Sequence, residues 1–207
     1  MCQFVIPNFF SLGEKSYQRE YMNNNNNKSE IATLANGCFW CTEAIFGRVK
    51  GVKSIIPGYA GGTVKNPSYD EVCTGETGHA ESIQIEFDPK VTSFEKILDI
   101  FWHTHDPTTL NRQGNDVGTQ YRSAIFYHDE MQKEIAERSR NDLEKENVYN
   151  DSIVTEITPF KNFYVAEDYH KNYYEKHHDV PYCNFVIDPK VRKLLEKYGN
   201  DVKQEFK

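Results

Sequence analysis

From Ile31 onward the apolar positions follow two periods, and the order of the segments they define predicts the fold. Ile31 to Ala35 is a short apolar run of β type, the pattern from Phe39 predicts a helix over 39–50 stopped by Gly51, and a strand is expected over 52–59. A glycine-rich loop carrying Gly58, Gly61 and Gly62 runs on to Gly78. In 80–88 the residues Ile83, Ile85 and Phe87 share one parity, as a half-buried strand requires. Phe94, Ile97, Leu98, Phe101 and His105 line one face of a helix over 93–105, with Thr92 and Glu95 in capping-box spacing at its start. A long polar loop leads to a strand at 121–127. A charged helix (about 129–147), a strand in which Ile153, Thr155 and Ile157 alternate, an aromatic helix (166–176) and a final helix after Pro189 complete the pattern. Strand, helix, strand, strand, helix, strand is the split βαβ order. The expected architecture is therefore α+β: a two-layer sandwich with a ferredoxin-like split βαβ core and a mixed sheet, extended by extra helices.

Composition narrows the picture. With 207 residues, 38% of them hydrophobic, the chain can bury one sizeable core. We read 30–207 as a single catalytic domain and 1–29, with asparagine at every position from Asn23 to Asn27, as a disordered leader. A net charge of −7 and a pI near 5.5 exclude broad binding to nucleic acid or to an anionic membrane. No run approaches the roughly 18 apolar residues of a membrane span. Phe4-Val5-Ile6 is interrupted by Pro7 and Asn8 and makes a poor signal peptide. Five dispersed cysteines, an odd number, fit a reducing compartment, so a cytoplasmic monomer is expected.

The chemistry begins at Gly37-Cys38-Phe39-Trp40-Cys41, which sets a thiol at a strand-to-helix turn. The first helical N–H groups have no intrahelical partner and the macrodipole is positive there, so a thiolate at Cys38 is expected. Cys41 lies one turn up the same face, within reach of an oxidised Cys38. Glu81 continues the parity of Ile83, Ile85 and Phe87, which aims a carboxylate toward the core. Desolvation there raises its pKa toward that of a general acid.

Several separated motifs carry a resemblance: Gly37-Cys38-Phe39-Trp40; Gly58-Tyr59-Ala60-Gly61-Gly62; Gly78-His79-Ala80-Glu81; His105-Asp106-Pro107-Thr108; and Gln113 through Ser123. Their order over roughly 31–190 resembles the peptide methionine sulfoxide reductases of the A type, which act on the S epimer. The resemblance implies that Cys38 attacks the sulfoxide sulfur and that Glu81 protonates the oxygen. It implies that Tyr69 and Tyr121 hydrogen-bond that oxygen, that Phe39 and Trp40 wall the ε-methyl pocket, and that Asp116 orients substrate or neighbouring side chains. The substrate would be methionine sulfoxide, free or in proteins, with no cofactor and no metal, and with thioredoxin as reductant. Cys38 would become a sulfenic acid that a second thiol resolves. Cys41 stands where many members have glycine; Cys183, in Pro181-Tyr182-Cys183, matches a position that holds a resolving cysteine in some. Both remain candidates, with Cys41 favoured by proximity.

Duller readings stand beside these. Taken singly, Phe39, Trp40, Tyr69 and Tyr121 read as packing, Asp116 as a turn-former, Cys73 as a buried small hydrophobe and Cys2 as incidental. His170, His177 and His178 read as an exposed helix and its end. Cys38, Cys41, His103 and His105 supply four zinc-type ligands, but His103 and His105 fall on different helix faces. The rival functions are a thioredoxin-like disulfide oxidoreductase and a non-enzymatic thiol sensor or zinc module. The first would not require Glu81 or the Asp116 loop, and the second would show no turnover of methionine sulfoxide.

Overall fold

The computed structural model describes residues 29–207. The expected leader and Cys2 lie outside the described residues, apart from Ser29. Four strands form the centre: β1 (Glu30–Asn36), β2 (Val52–Ala60), β3 (Ala80–Phe87) and β6 (Ser123–Tyr127). Their spatial order β6-β1-β3-β2 is antiparallel throughout and is that of the split βαβ arrangement. β7 (Glu156–Pro159) extends one edge parallel to β6, and β8 (Phe163–Val165) extends the other edge antiparallel to β2, so the six-stranded sheet is mixed. The α+β architecture read from the periodicity is the one observed.

Helices α1 (Phe39–Phe46) and α3 (Phe94–Thr104) pack on one face of the sheet, where Ile83, Ile85 and Phe87 of β3 join Leu34, Phe46, Ile97 and Phe101 in the main core. The other face holds a small-residue cluster of Ala35, Ala60, Ala80 and Ala124 under Phe126. Four elements were not expected. α2 (Tyr69–Cys73) interrupts the glycine-rich loop and is secured by a capping box between Ser68 and Glu71. β4 (Arg112–Gln113) and β5 (Asp116–Val117) form a two-residue ladder in the long polar loop. β8 occupies part of the segment 160–167.

Boundaries also moved. α1 ends at Phe46, because the chain turns at Gly47 and again at Gly51, whose φ of +82° favours glycine. α3 is capped by Ser93, which accepts from the Lys96 amide at 3.3 Å, and not by Thr92, which is buried. α4 (Glu130–Lys145) forms as expected. The expected aromatic helix is broken at Asn172, whose φ is +52°, into a short 3₁₀ turn (Asp168–His170) and α5 (Tyr173–Lys176). α6 (Asp188–Tyr198) holds Pro189 in its first turn and is preceded by a π turn, Cys183–Ile187. Among the described residues no helix is long and apolar enough to cross a membrane.

Candidate active site

β1 delivers Cys38 to the N-cap of α1, where its carbonyl accepts from the Cys41 and Thr42 amides at 3.1 and 3.3 Å. β3, next to β1, delivers Glu81 beneath the same helix start, buried to 1% exposure. The Phe39 amide, one of the N–H groups left free by helix geometry, donates to Glu81 Oε2 at 3.0 Å. The strand parity thus places the carboxylate where the sequence aimed it. Burial lifts the Glu81 carboxyl to about 8, with the Asp116 charge adding to the effect and the Phe39 amide and Cys38 thiol opposing it. At neutral pH it is a carboxylic acid.

The thiols differ from the simple helix-start expectation. Burial, the hydrogen bond to Cys41 and the nearby Glu81 push the Cys38 thiol well up, outweighing the helix terminus. Cys41 is brought down to about 7, chiefly by the hydrogen bond from Cys38 and then by the Lys190 charge. The two share one proton. The pair titrates as a unit, with Cys38 hydrogen-bonded to Cys41 and the Lys190 charge beside Cys41.

Tyr69, on α2, and Tyr121, in the 3₁₀ turn Thr119–Tyr121, converge on this centre from two loops. Burial and the Glu81 charge hold both phenols up, so each remains a hydrogen-bond donor. The Tyr69 ring stacks on Phe39 at 6.4 Å between centroids, and its amide donates to Glu167 Oε1 at 2.8 Å. Asp116 Oδ2 accepts from Tyr182 Oη at 2.8 Å. Tyr182 Oη also lies 3.9 Å from Cys41 Sγ, so the aspartate orients a tyrosine at the thiol pair.

Two assignments are corrected. His170 is wholly buried and not on an exposed helix: its Nδ1 accepts from Trp40 Nε1 at 3.0 Å, and its ring packs between Phe39 and Tyr69 at 4.8 and 4.5 Å. Burial lowers its pKa, which keeps the imidazole neutral and able to accept. Cys73 is exposed, because it ends α2 on the outer surface, and is not a buried hydrophobe.

Two aromatic groups at the site were given no role from the sequence: Tyr182 and Tyr173, the last stacked on Trp40 at 3.6 Å and 5°. The only signal for them was the density of aromatic residues in 164–182. Cys183, adjacent to Tyr182, is buried within the π turn. The zinc grouping does not assemble. His105 commits its ring nitrogens to Phe101 O and Ser123 Oγ at 2.7 and 2.8 Å, and no metal-holding cluster occurs among the described residues.

The chain has clear relatives among known proteins. The profile of the family described as peptide methionine sulfoxide reductase matches residues 30–203. The peptide methionine sulfoxide reductase MsrA of Sulfolobus acidocaldarius is 59% identical over 169 residues, which is 82% of this chain and 95% of that protein. Among solved structures, Mxr1 from Saccharomyces cerevisiae in reduced form is 36% identical, covers 75% of this chain and 90% of its own, and has a TM-score of 0.69. Methionine sulfoxide reductase A of Corynebacterium diphtheriae is also 36% identical, covers 72% of this chain and 76% of its own, and has a TM-score of 0.65.

Proposed function

This chain belongs to the peptide methionine sulfoxide reductase family, and on that premise we propose that Cys38 is its nucleophile and Glu81 its general acid. The activity is thiol-dependent reduction of methionine sulfoxide to methionine. A sulfoxide sulfur is a poor electrophile until its oxygen gains a proton or strong hydrogen bonds, so an acid and donors opposite a thiol are what the reaction needs. The observation that carries the assignment is the place of Glu81 at the start of α1, where the Phe39 amide holds it beside the Cys38 thiol and burial favours its neutral form.

In this reading the Cys38 proton moves along its hydrogen bond to Cys41 as the sulfur attacks. Glu81 gives its proton to the sulfoxide oxygen, with Tyr69 and Tyr121 donating to the same atom. Methionine leaves and Cys38 holds the oxygen as a sulfenic acid. Cys41 displaces that oxygen as water, forming a disulfide that an external dithiol protein of the thioredoxin kind reduces. Cys183 is the competing resolving position. Phe39 and Trp40 wall the methyl pocket, Trp40 being held between His170 and Tyr173. A fixed methyl pocket opposite fixed donors discriminates one sulfur configuration, and the family resemblance makes that the S epimer. The four described cysteines are unpaired, which supports a reducing cytoplasmic setting, and the acidic net charge supports a monomer.

The test is single-turnover methionine release from separate S and R epimers of N-acetylmethionine sulfoxide by wild type and Cys38→Ser. Release from the S epimer alone, lost in Cys38→Ser, is the expected result. Equal rates on both epimers, or turnover that survives the substitution, would remove the stereochemical or the nucleophile assignment respectively.

A further inference from the structure

The reacting groups are deep: Cys38 is 6% exposed and Glu81 1%. A methionine sulfoxide side chain must therefore insert, and the backbone that carries it must lie across the segments at the mouth. Two such segments are tied together by the 2.8 Å hydrogen bond from Tyr182 to Asp116: the loop 110–118 and the turn 180–187. They carry the three most exposed of the large apolar side chains among the described residues, Phe185 at 80%, Leu110 at 70% and Val117 at 66%. Val117 follows Asp116 directly, and Phe185 lies three residues past Tyr182. The ladder pairs Arg112 with Val117, and the Gly118 amide bonds to Asn111 O at 2.9 Å, which keeps Leu110 and Val117 at one end of the hairpin.

Single exposed apolar residues are ordinary, but the largest exposures gathering on two segments joined at the reacting thiols are not. We infer that Leu110, Val117 and Phe185 form a specificity surface for the apolar residues that flank methionine sulfoxide in an unfolded stretch of polypeptide. The inference rests on the reductase reading of the site. Its occupant follows from chemistry: methionine is a core residue whose sequence neighbours are commonly apolar, and oxidation makes its side chain polar and disrupts that core. In this reading one peptide places its sulfoxide at Cys38 and its neighbours on the rim, so the flanking contacts add affinity without a second association event.

The experiment is single-turnover methionine release without reductant, so that no electron-donor protein takes part. Three substrates are compared: N-acetylmethionine sulfoxide amide, a heptapeptide with Leu and Phe around the sulfoxide, and one with Ser and Asn there. Wild type is expected to favour the apolar peptide. Phe185→Ser combined with Val117→Ser should lower its apparent second-order rate constant by about tenfold or more, leaving the other two substrates unchanged, and Phe185→Leu should retain the preference. No loss on the apolar peptide, or an equal loss on all three, would overturn the inference. So would a defect confined to steady-state turnover with thioredoxin, which would make the surface a reductant's dock. Anisotropy of the labelled apolar peptide reads binding separately. A wild type that reduces no sulfoxide would sink the reductase reading, while the affinity ratio between wild type and the double variant still decides the surface.

Discussion

The amide of Phe39 donates to Glu81 Oε2 at 3.0 Å, joining the residue after the thiol to a carboxyl 42 positions away on the neighbouring strand. That bond anchors one carboxyl oxygen and leaves the group, protonated up to about pH 8, beside Cys38. Glu81→Gln keeps the shape and removes the acidic proton. General acid catalysis is typically worth about 10²–10⁴-fold. Single-turnover methionine release at pH 7 should therefore fall well beyond tenfold. The decline in wild-type rate as pH rises through about 8 should vanish from the profile of the variant. An unchanged rate would assign the proton to the tyrosines or to solvent.

The same carboxyl costs folding stability. Its folded pKa of about 8 lies above an unfolded value of about 4.3, so the folded state binds the proton more tightly. The group's contribution is fully present below about pH 4 and is lost as pH rises through about 8. Urea unfolding of wild type and Glu81→Gln should show the variant gaining relative stability between pH 4.5 and 8.5, by an amount on the order of a few kcal/mol. A difference that stays flat with pH would mean the carboxyl is not protonated in the folded site.

Cys41 lies one turn from Cys38, is hydrogen-bonded to it and is brought down to about 7, which makes Cys41 the expected resolving thiol. After one turnover without reductant, peptide mapping should find Cys38 linked to Cys41. Cys41→Ser should still release one equivalent of methionine but fail to recycle, and its pH profile should lack the limb near 7. A Cys38 to Cys183 link with normal recycling would reverse the order. The local link requires the first turn of α1 to yield, since disulfides need Cα atoms roughly 4.4–6.8 Å apart and suitably directed Cβ vectors.

His170 acts on substrate through Trp40, whose indole N–H it accepts at 3.0 Å. His170→Phe preserves an aromatic ring but leaves that donor unpaired, a loss of about 1–3 kcal/mol for a buried group. The indole should lose its fixed position, raising KM for methionine sulfoxide by roughly tenfold with a smaller change in saturating rate. His170→Gln, which restores an acceptor, should recover part of the affinity. Equal falls in kcat and kcat/KM would place His170 closer to the chemistry than its geometry does.

The sequence by itself determined the strand and helix order, the mixed α+β architecture, the thiol at the start of α1 and the inward aim of Glu81. These are consequences of local period: a strand alternates faces residue by residue, so the parity of Ile83, Ile85 and Phe87 reaches back to Glu81 without knowledge of any partner. The capping box Ser68 to Glu71 that starts α2 was equally legible and went unread. Tertiary structure alone decided the rest. The breaks at Gly47 and Asn172, the burial of His170 and the exposure of Cys73 follow from which surfaces meet, and the segments involved are far apart in sequence. The sharing of the proton between Cys38 and Cys41 depends on desolvation by the whole fold and on Lys190, brought in by α6. A helix-start argument contains neither of these, so it does not anticipate that Cys38 is pushed up while Cys41 is brought down.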